Sequence, residues 1–196
     1  MSRPAHALVI VDMQVEYFDD DALAGCRPML VDACNAVIGL ARDAGAPVFE
    51  VRTIHQADRS TWSLNMLEDD SGMVVEGSGG DLPLPELDTH DAIVVAKTRD
   101  SAFYQTRLGA MLKKRGASSI ALCGISTESC IAMTASDAYA RDLQVTLVEE
   151  ALASVEPASH DHTLERLAAQ YRQPTASVEQ LEFVRPERQA DVRRAR

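Results

Sequence analysis

The chain alternates short apolar runs with stretches in which apolar residues recur every three or four positions. Residues 7–11 (ALVIV) are an unbroken apolar run that stops at Asp12. Five residues rich in branched side chains suit a strand buried on both faces. The pattern returns at 47–54 (PVFEVRTI), at 92–96 (AIVVA, ending at Lys97), at 120–123 (ending at Gly124) and at 145–148, and a weak last strand is expected near 176–178. Helical spacing fills the intervals. Leu30, Ala33, Cys34, Val37, Ile38 and Ala41 share one face, with Pro28 as the opening position and Gly45 as the stop. Leu108, Met111 and Leu112 mark a helix closed by Gly116, a third covers about 127–141, and Pro157 opens a fourth with Leu164, Leu167, Ala168 and Tyr171 on one face.

Strands and helices taking turns predict an α/β fold, a Rossmann-like three-layer α/β/α sandwich with a mainly parallel central sheet. Residues 55–90 break the rhythm; a loop that long in a compact domain reads as a lid or binding loop, with a short helix expected within 62–67. There is no internal repeat and no low-complexity linker, so residues 1–184 form one domain. Residues 185–196 hold five Arg and two acids and read as a basic, solvated tail.

Composition narrows the class. The 196 residues are 46% hydrophobic and 25% charged, the usage of a single folded domain. With 19 Lys and Arg against 30 Asp and Glu, the net charge of −11 opposes the phosphate-neutralising surface that nucleic acid requires. No apolar run approaches the roughly 20 residues of a bilayer span, so no membrane partner is expected. The opening MSRPAHALVIVDMQ runs straight into the first strand and does not read as a signal peptide. Four cysteines without paired spacing suit free thiols in a reducing, cytoplasmic setting.

In open parallel sheets the ligand site lies beyond the carboxyl ends of the strands. Three capable residues fall on that edge: Asp12 after the first strand, Lys97 at the end of the third, and Cys130 in the first helical turn after the fourth. Singly, an acid or lysine at a strand end is usually solvated and a helical cysteine is usually core, as Cys34 and Cys123 are here. Together they describe one chemistry. A helix N-terminus and a nearby lysine favour a thiolate, while Asp12 could take the thiol proton and return it to a leaving amine. The loop 124–130 (GISTESC) has N–H groups that can face a tetrahedral oxyanion.

The segments VIVDMQVEYF (9–18), VVAKTRDSAFYQTRL (94–108) and LCGISTESCIAMTASDAYARDLQVTLVEEALAS (122–154), with the region of His160 after them, resemble the isochorismatase-like cysteine hydrolases. That group includes nicotinamidases, N-carbamoylsarcosine amidohydrolases and ureidoacrylate amidohydrolases. The resemblance implies a catalytic triad of Asp12, Lys97 and Cys130, a cis peptide between Ile125 and Ser126, and an oxyanion hole from the N–H groups of Ser126 and Cys130. It implies a cysteine-dependent amidohydrolase that cleaves a small amide, ureido or lactam C–N bond through a thioester. The family often forms dimers or tetramers, so a homo-oligomer is expected.

Departures from the family pattern select among activities. Nicotinamidases carry Asp-x-His metal ligands at the end of the second strand, where this chain has Val51-Arg52-Thr53-Ile54-His55. A lone His does not make a divalent site, so no metal and no cofactor are expected. His160-Asp161-His162 falls in a first helical turn, and its histidines are expected to face solvent. Vinyl-ether cleavage of the isochorismatase type, and a non-catalytic oligomeric interaction module, are the alternatives; the three competent triad residues weigh against the second. Streptothricin hydrolases belong to the same group, and nothing in the sequence assigns their substrate.

Pocket candidates for a small-molecule substrate follow from position. Gln14 and Phe18 lie just past Asp12, Phe103 just past Lys97, and His55 and Trp62 in the long loop. Glu128 beside the nucleophile is assigned to favouring the helix N-terminus. Asp19-Asp20-Asp21 lacks calcium-loop spacing and is read as a solvated face.

Overall fold

The strands observed are β1 (Ala7–Val11), β2 (Val48–Thr53), β3 (Ile93–Lys97), β4 (Ser119–Gly124), β5 (Gln144–Leu152) and β6 (Thr175–Ala176). The computed structural model describes residues 4–186, so the expected basic tail lies, after its first two residues, outside the described residues. All six strands run parallel in one sheet of order β3-β2-β1-β4-β5-β6. The order reverses between β1 and β4, and the crevice beyond their carboxyl ends is where such sheets place a ligand.

Every residue of β1 is buried, because the sheet is covered on both sides. Leu8 and Ile10 pack with α1 (Asp21–Asp43). Ala7, Val9 and Val11 point the other way, into a second core with α3 (Leu108–Lys114), α4 (Ala132–Tyr139) and α5 (Pro157–Tyr171). The three-layer α/β/α sandwich expected from the alternating pattern is therefore the fold.

Helix α1 begins seven residues before Pro28, which lies inside it rather than at its start. The reason is local. Asp20 of the acidic triplet caps the helix, its Oδ1 accepting from Ala22 N–H at 2.9 Å and Leu23 N–H at 3.4 Å. Leu23, buried in the first turn, then anchors a stretch whose apolar spacing is obscured by polar neighbours. Asp20→Ala is expected to cost about 1 kcal/mol, read as a lower urea midpoint at unchanged slope. By length and composition α1 would also suffice to cross a bilayer, although polar residues interrupt its apolar positions. Its residues Leu30, Cys34, Val37, Ile38 and Ala41 instead form the core against the sheet.

The long segment after β2 is fastened down. Its short helix α2 (Leu64–Glu68) starts two residues later than expected. Val74, Leu84 and Leu87 are buried, and single bridges join His55 to Val75 and Gln14 to Pro83. Glu16 accepts from Val74 N–H at 2.6 Å. Farther along, Arg42 of α1 pairs with Asp88 and Asp91, and Arg27 with Glu86. These pairs are at least partly exposed and individually contribute little, but the segment also inserts apolar side chains into the core.

Candidate active site

Three neighbouring strand ends and one turn supply the site. Asp12 follows β1 with φ of 54°, a left-handed conformation that Asp tolerates better than most residues. Thr53 and Lys97 end β2 and β3 and stand opposite each other in the sheet register. After β4, the Ile125–Ser126 peptide is cis, and a single π-helical turn, Thr127–Ile131, leads into α4. Cys130 lies in that turn. The sequence reading extends one regular helix through this stretch.

Gly124 ends β4 with φ of 114°, and a Cβ there would lie 2.0 Å from the Val11 carbonyl oxygen. Only glycine lets β4 pass this close to β1. The Val11 carbonyl accepts from Ile125 N–H at 3.0 Å, setting the path of the turn beside Asp12.

Asp12, Lys97 and Cys130 converge. Lys97 Nζ lies 2.7 Å from Asp12 Oδ2 and donates to Cys130 Sγ at 3.3 Å and to Thr53 Oγ1 at 2.7 Å. Thr53 in turn gives Asp12 Oδ1 two hydrogen bonds of 2.9 Å, from its N–H and its hydroxyl. Asp12 Oδ1 is thus saturated. Oδ2 has the Lys97 charge beside it but no directed hydrogen bond, which leaves it able to accept a proton. Asp12 is 1% exposed, Lys97 2% and Cys130 8%.

The electrostatics correct one expectation. Burial first, then the Asp12 charge, push the Cys130 thiol well above its ordinary range, and Lys97 offsets them only in part. Burial and the neighbouring carboxylate thus oppose the thiolate that a lysine and a helix N-terminus favour. Burial pulls the Lys97 ammonium down, but Asp12 and Cys130 outweigh it and hold the group above its usual value. Among the backbone donors of the turn, Thr127 N–H is taken by Ala153 O, and those of Ser129 and Ile131 by Ser126 O. The N–H groups of Ser126, Glu128 and Cys130 have no hydrogen-bond acceptor among the described residues, and of these the resemblance implies Ser126 and Cys130 for an oxyanion.

A cavity of about 710 Å³ opens above the sulfur, lined among others by Tyr17, Thr53, His55, Met66, Tyr104 and Cys130. Of the five pocket candidates only His55 lines it. Burial, with Arg99 and Lys97 nearby, holds this imidazole below its ordinary value, against a hydrogen bond between Nδ1 and Thr61 O at 2.9 Å. Gln14 is fully buried and structural: its amide donates to Thr53 O and Asp81 O and accepts from Thr53 N–H. Phe18 is in the core beneath Arg27, and Phe103 lies under Arg141. Trp62 stacks against Arg59 and donates to Gln56 O, so it packs the loop rather than walling the cavity.

Their neighbours do the lining. Tyr17, beside Phe18, has its hydroxyl pushed far above the usual range by burial and by the charges of Asp12 and Cys130. Tyr104, beside Phe103, is half exposed at the cavity. A tyrosine carries a polar tip that a dry core leaves unpaired, so of each Phe/Tyr pair the tyrosine belongs at the cavity. That distinction was available in the sequence. His160 is a further correction. It is half buried and its Nδ1 lies 2.8 Å from Thr127 Oγ1, tying α5 to the turn that carries Cys130, while His162 does face solvent.

No group of three or more His, Cys, Asp or Glu among the described residues is placed to hold a metal ion. His55, the nearest imidazole to the end of β2, stands without a carboxylate partner.

Comparison with known proteins agrees with the fold. A model of the isochorismatase domain matches residues 6–180. A "probable inactive nicotinamidase" of Arabidopsis thaliana is 29% identical, aligned over 79% of this chain and 83% of its own. A streptothricin hydrolase of Streptomyces noursei is also 29% identical over 78% of this chain, which spans about half of that relative (56%). Among solved structures, an isochorismatase family protein from Desulfovibrio vulgaris superposes with a TM-score of 0.79 at 26% identity, covering 90% of this chain and 96% of its own. The N-carbamoylsarcosine amidase of Thermoplasma acidophilum gives 0.77 at 25% identity, covering 92% and 99%. The family model spans the whole sheet and every residue of the Asp12, Lys97 and Cys130 cluster, and the chain belongs to the isochorismatase family of hydrolases.

Proposed function

We propose that the protein is a cysteine amidohydrolase that cleaves the C–N bond of a small amide, ureide or lactam. The observation that carries this reading is the placement of Lys97 Nζ between the Asp12 carboxylate at 2.7 Å and the Cys130 sulfur at 3.3 Å, with Cys130 lining the cavity.

Asp12 Oδ2 takes the thiol proton as the sulfur attacks the carbonyl carbon. The N–H groups of Ser126 and Cys130 hold the oxygen of the tetrahedral intermediate. Collapse breaks the C–N bond, and Asp12 passes the proton to the leaving nitrogen, which departs as ammonia or an amine. A water then gives a proton to Asp12 and attacks the thioester carbon; the acid leaves and the sulfur recovers its proton. One amide and one water are consumed, one acid and one amine are formed. Lys97 stays protonated throughout, balancing the negative charge as it moves between sulfur and carboxylate. A streptothricin hydrolase and an N-carbamoylsarcosine amidase, so named, are among the relatives and support a hydrolase reading. The residues at the end of β2 do not fit a metal set, so the steps run through side chains and backbone alone.

The test is ammonia release from a panel of primary amides, ureas and lactams, combined with intact-mass analysis of acid-quenched reactions. An acyl adduct on Cys130 and product formation that survives exhaustive chelation are expected. Turnover of an amide with no adduct, and undiminished in Cys130→Ala, would overturn the assignment. Turnover of isochorismate alone would move the protein to ether hydrolysis.

A further inference from the structure

Thr53, His55 and Cys130 all line the cavity. Residues two apart along an extended chain direct their side chains the same way, about 6–7 Å from each other. Thr53 is committed to the reacting groups, its hydroxyl donating to Asp12 Oδ1 and accepting from Lys97 Nζ. His55 therefore stands one small functional group farther along the wall.

The imidazole is 4% exposed, and its surroundings fix its tautomer. Nδ1 lies 2.9 Å from the Thr61 carbonyl oxygen, which can only accept, so Nδ1 carries the ring hydrogen. The Thr61 hydroxyl is farther from that nitrogen, at 3.4 Å, and its oxygen accepts from Gln56 N–H. Nε2 is left with a bare lone pair. It has no partner among the described residues, yet it is not sealed in protein as the unpartnered Asp12 Oδ2 and Gln173 Oε1 are. Burial first, then the charges of Arg99 and Lys97, favour the uncharged ring, against Asp12 and the Thr61 hydrogen bond. No second and third ligand stand beside it among the described residues, so this lone pair does not belong to a metal set.

Elsewhere in the lining, Arg99 only donates, the hydroxyls of Tyr17 and Ser129 do either, and Asp100 and Asp137 accept as charged groups. An acceptor as buried as His55 Nε2 costs free energy while it is unpaired. A ligand that brings a donor removes that cost, and one that brings a methylene adds to it.

We infer that His55 Nε2 is a specificity subsite that accepts a hydrogen bond from an N–H or O–H carried by the substrate within two bonds of the scissile carbonyl carbon. The inference rests on the amidohydrolase reading for the identity of that carbonyl. His55 takes no part in bond breaking; it selects the substrate and turns its carbonyl toward Cys130.

Matched pairs of small carbonyl compounds test this. Ethylurea against butanamide exchanges an N–H for a methylene, and lactamide against 2-methylpropanamide exchanges an O–H for a methyl group. Intrinsic reactivity differs within each pair, so the quantity read is the change in the ratio of kcat/KM on mutation. His55→Phe keeps a ring and removes the lone pair, and the Thr61 carbonyl retains its Arg99 donor at 2.7 Å. It is expected to lower the ratio of donor compound to isostere about tenfold in at least one pair. His55→Gln, whose Oε1 is again an acceptor, is expected to restore most of that ratio. The pair that responds tells N–H from O–H. Equal losses on both members of each pair, the mark of a merely structural histidine, overturn the subsite and leave the amidohydrolase standing. If nothing is turned over, ligand-observed NMR titration of Cys130→Ala with the same pairs decides the matter separately. Tighter binding of a donor compound than of its isostere, lost when His55→Phe is added, supports the subsite, and equal or absent binding removes it.

Discussion

Asp12→Asn is expected to lower amide turnover by about 10³-fold while making Cys130 easier to alkylate at neutral pH. The two effects have one cause. On the proposed mechanism the carboxylate beside the sulfur is the base that removes its proton during attack, and after burial it is also the largest influence raising the thiol. Replacing it with a neutral amide removes the proton acceptor for catalysis. The same change leaves the Lys97 ammonium 3.3 Å from the sulfur without a competing anion, so the thiol titrates lower. Asn is the right replacement because it tolerates the left-handed φ at position 12 and keeps an oxygen for the Thr53 donors.

Peptide mass spectrometry after brief iodoacetamide treatment reads the alkylation. Cys34 and Cys123 are fully buried in the core and serve as internal references, while the half-buried Cys26 reports surface reactivity. An Asp12→Asn protein that is folded, inactive and no more reactive at Cys130 than wild type would show that Asp12 does not govern the thiol. Cys130→Ala, in contrast, is expected to lose turnover and the reactive site together.

The fold and the convergence of Asp12, Lys97 and Cys130 were legible for related reasons. Strands buried on both faces leave continuous apolar runs, and the runs at 7–11 and 92–96 end where a charged residue meets the sheet edge, so Asp12 and Lys97 announce themselves. Cys130 follows from its place after β4, and the motifs at 9–18, 94–108 and 122–154 agree in register. The cavity was far less legible. Position along the chain nominated Phe18 and Phe103, but side-chain direction was decided by which member of each Phe/Tyr pair could enter a dry core. Gln14 looked like a substrate contact because it follows Asp12. It is spent on the carbonyls of Thr53 and Asp81, which pin the loop to the end of β2. The start of α1 is hard to place because Pro28 is a strong helix-opening signal, and the Asp20 cap eight residues earlier is hidden in an acidic triplet. The thiol's protonation could not be read from residue types. A lysine lowers it and a carboxylate raises it, and only the depth of burial and the distances decide between them.

Lys97→Met is expected to destabilise the protein by about 3–5 kcal/mol as well as to abolish activity. In the wild type the two charged side chains of the pair are each 1% exposed. Removing the ammonium leaves Asp12 as a buried anion whose Oδ1 is still held by Thr53 but whose Oδ2 faces nothing. Thr53 Oγ1 also loses the donor at 2.7 Å. The cost is the desolvation of an uncompensated charge rather than the loss of one contact, and this distinction can be measured. Adding Asp12→Asn to Lys97→Met removes the orphaned charge, so the double variant is expected to regain most of the lost stability and none of the activity. The native pKa of Lys97 lies above the ordinary lysine value of 10.5. Its stabilising contribution is therefore complete below that value and is lost only as the pH climbs through the higher native one. Urea titrations of the four proteins near neutral pH report the full effect. A Lys97→Met midpoint equal to wild type, or a double variant less stable than the single, would mean that Asp12 is not charged in the folded protein and that the proton it must accept is already there.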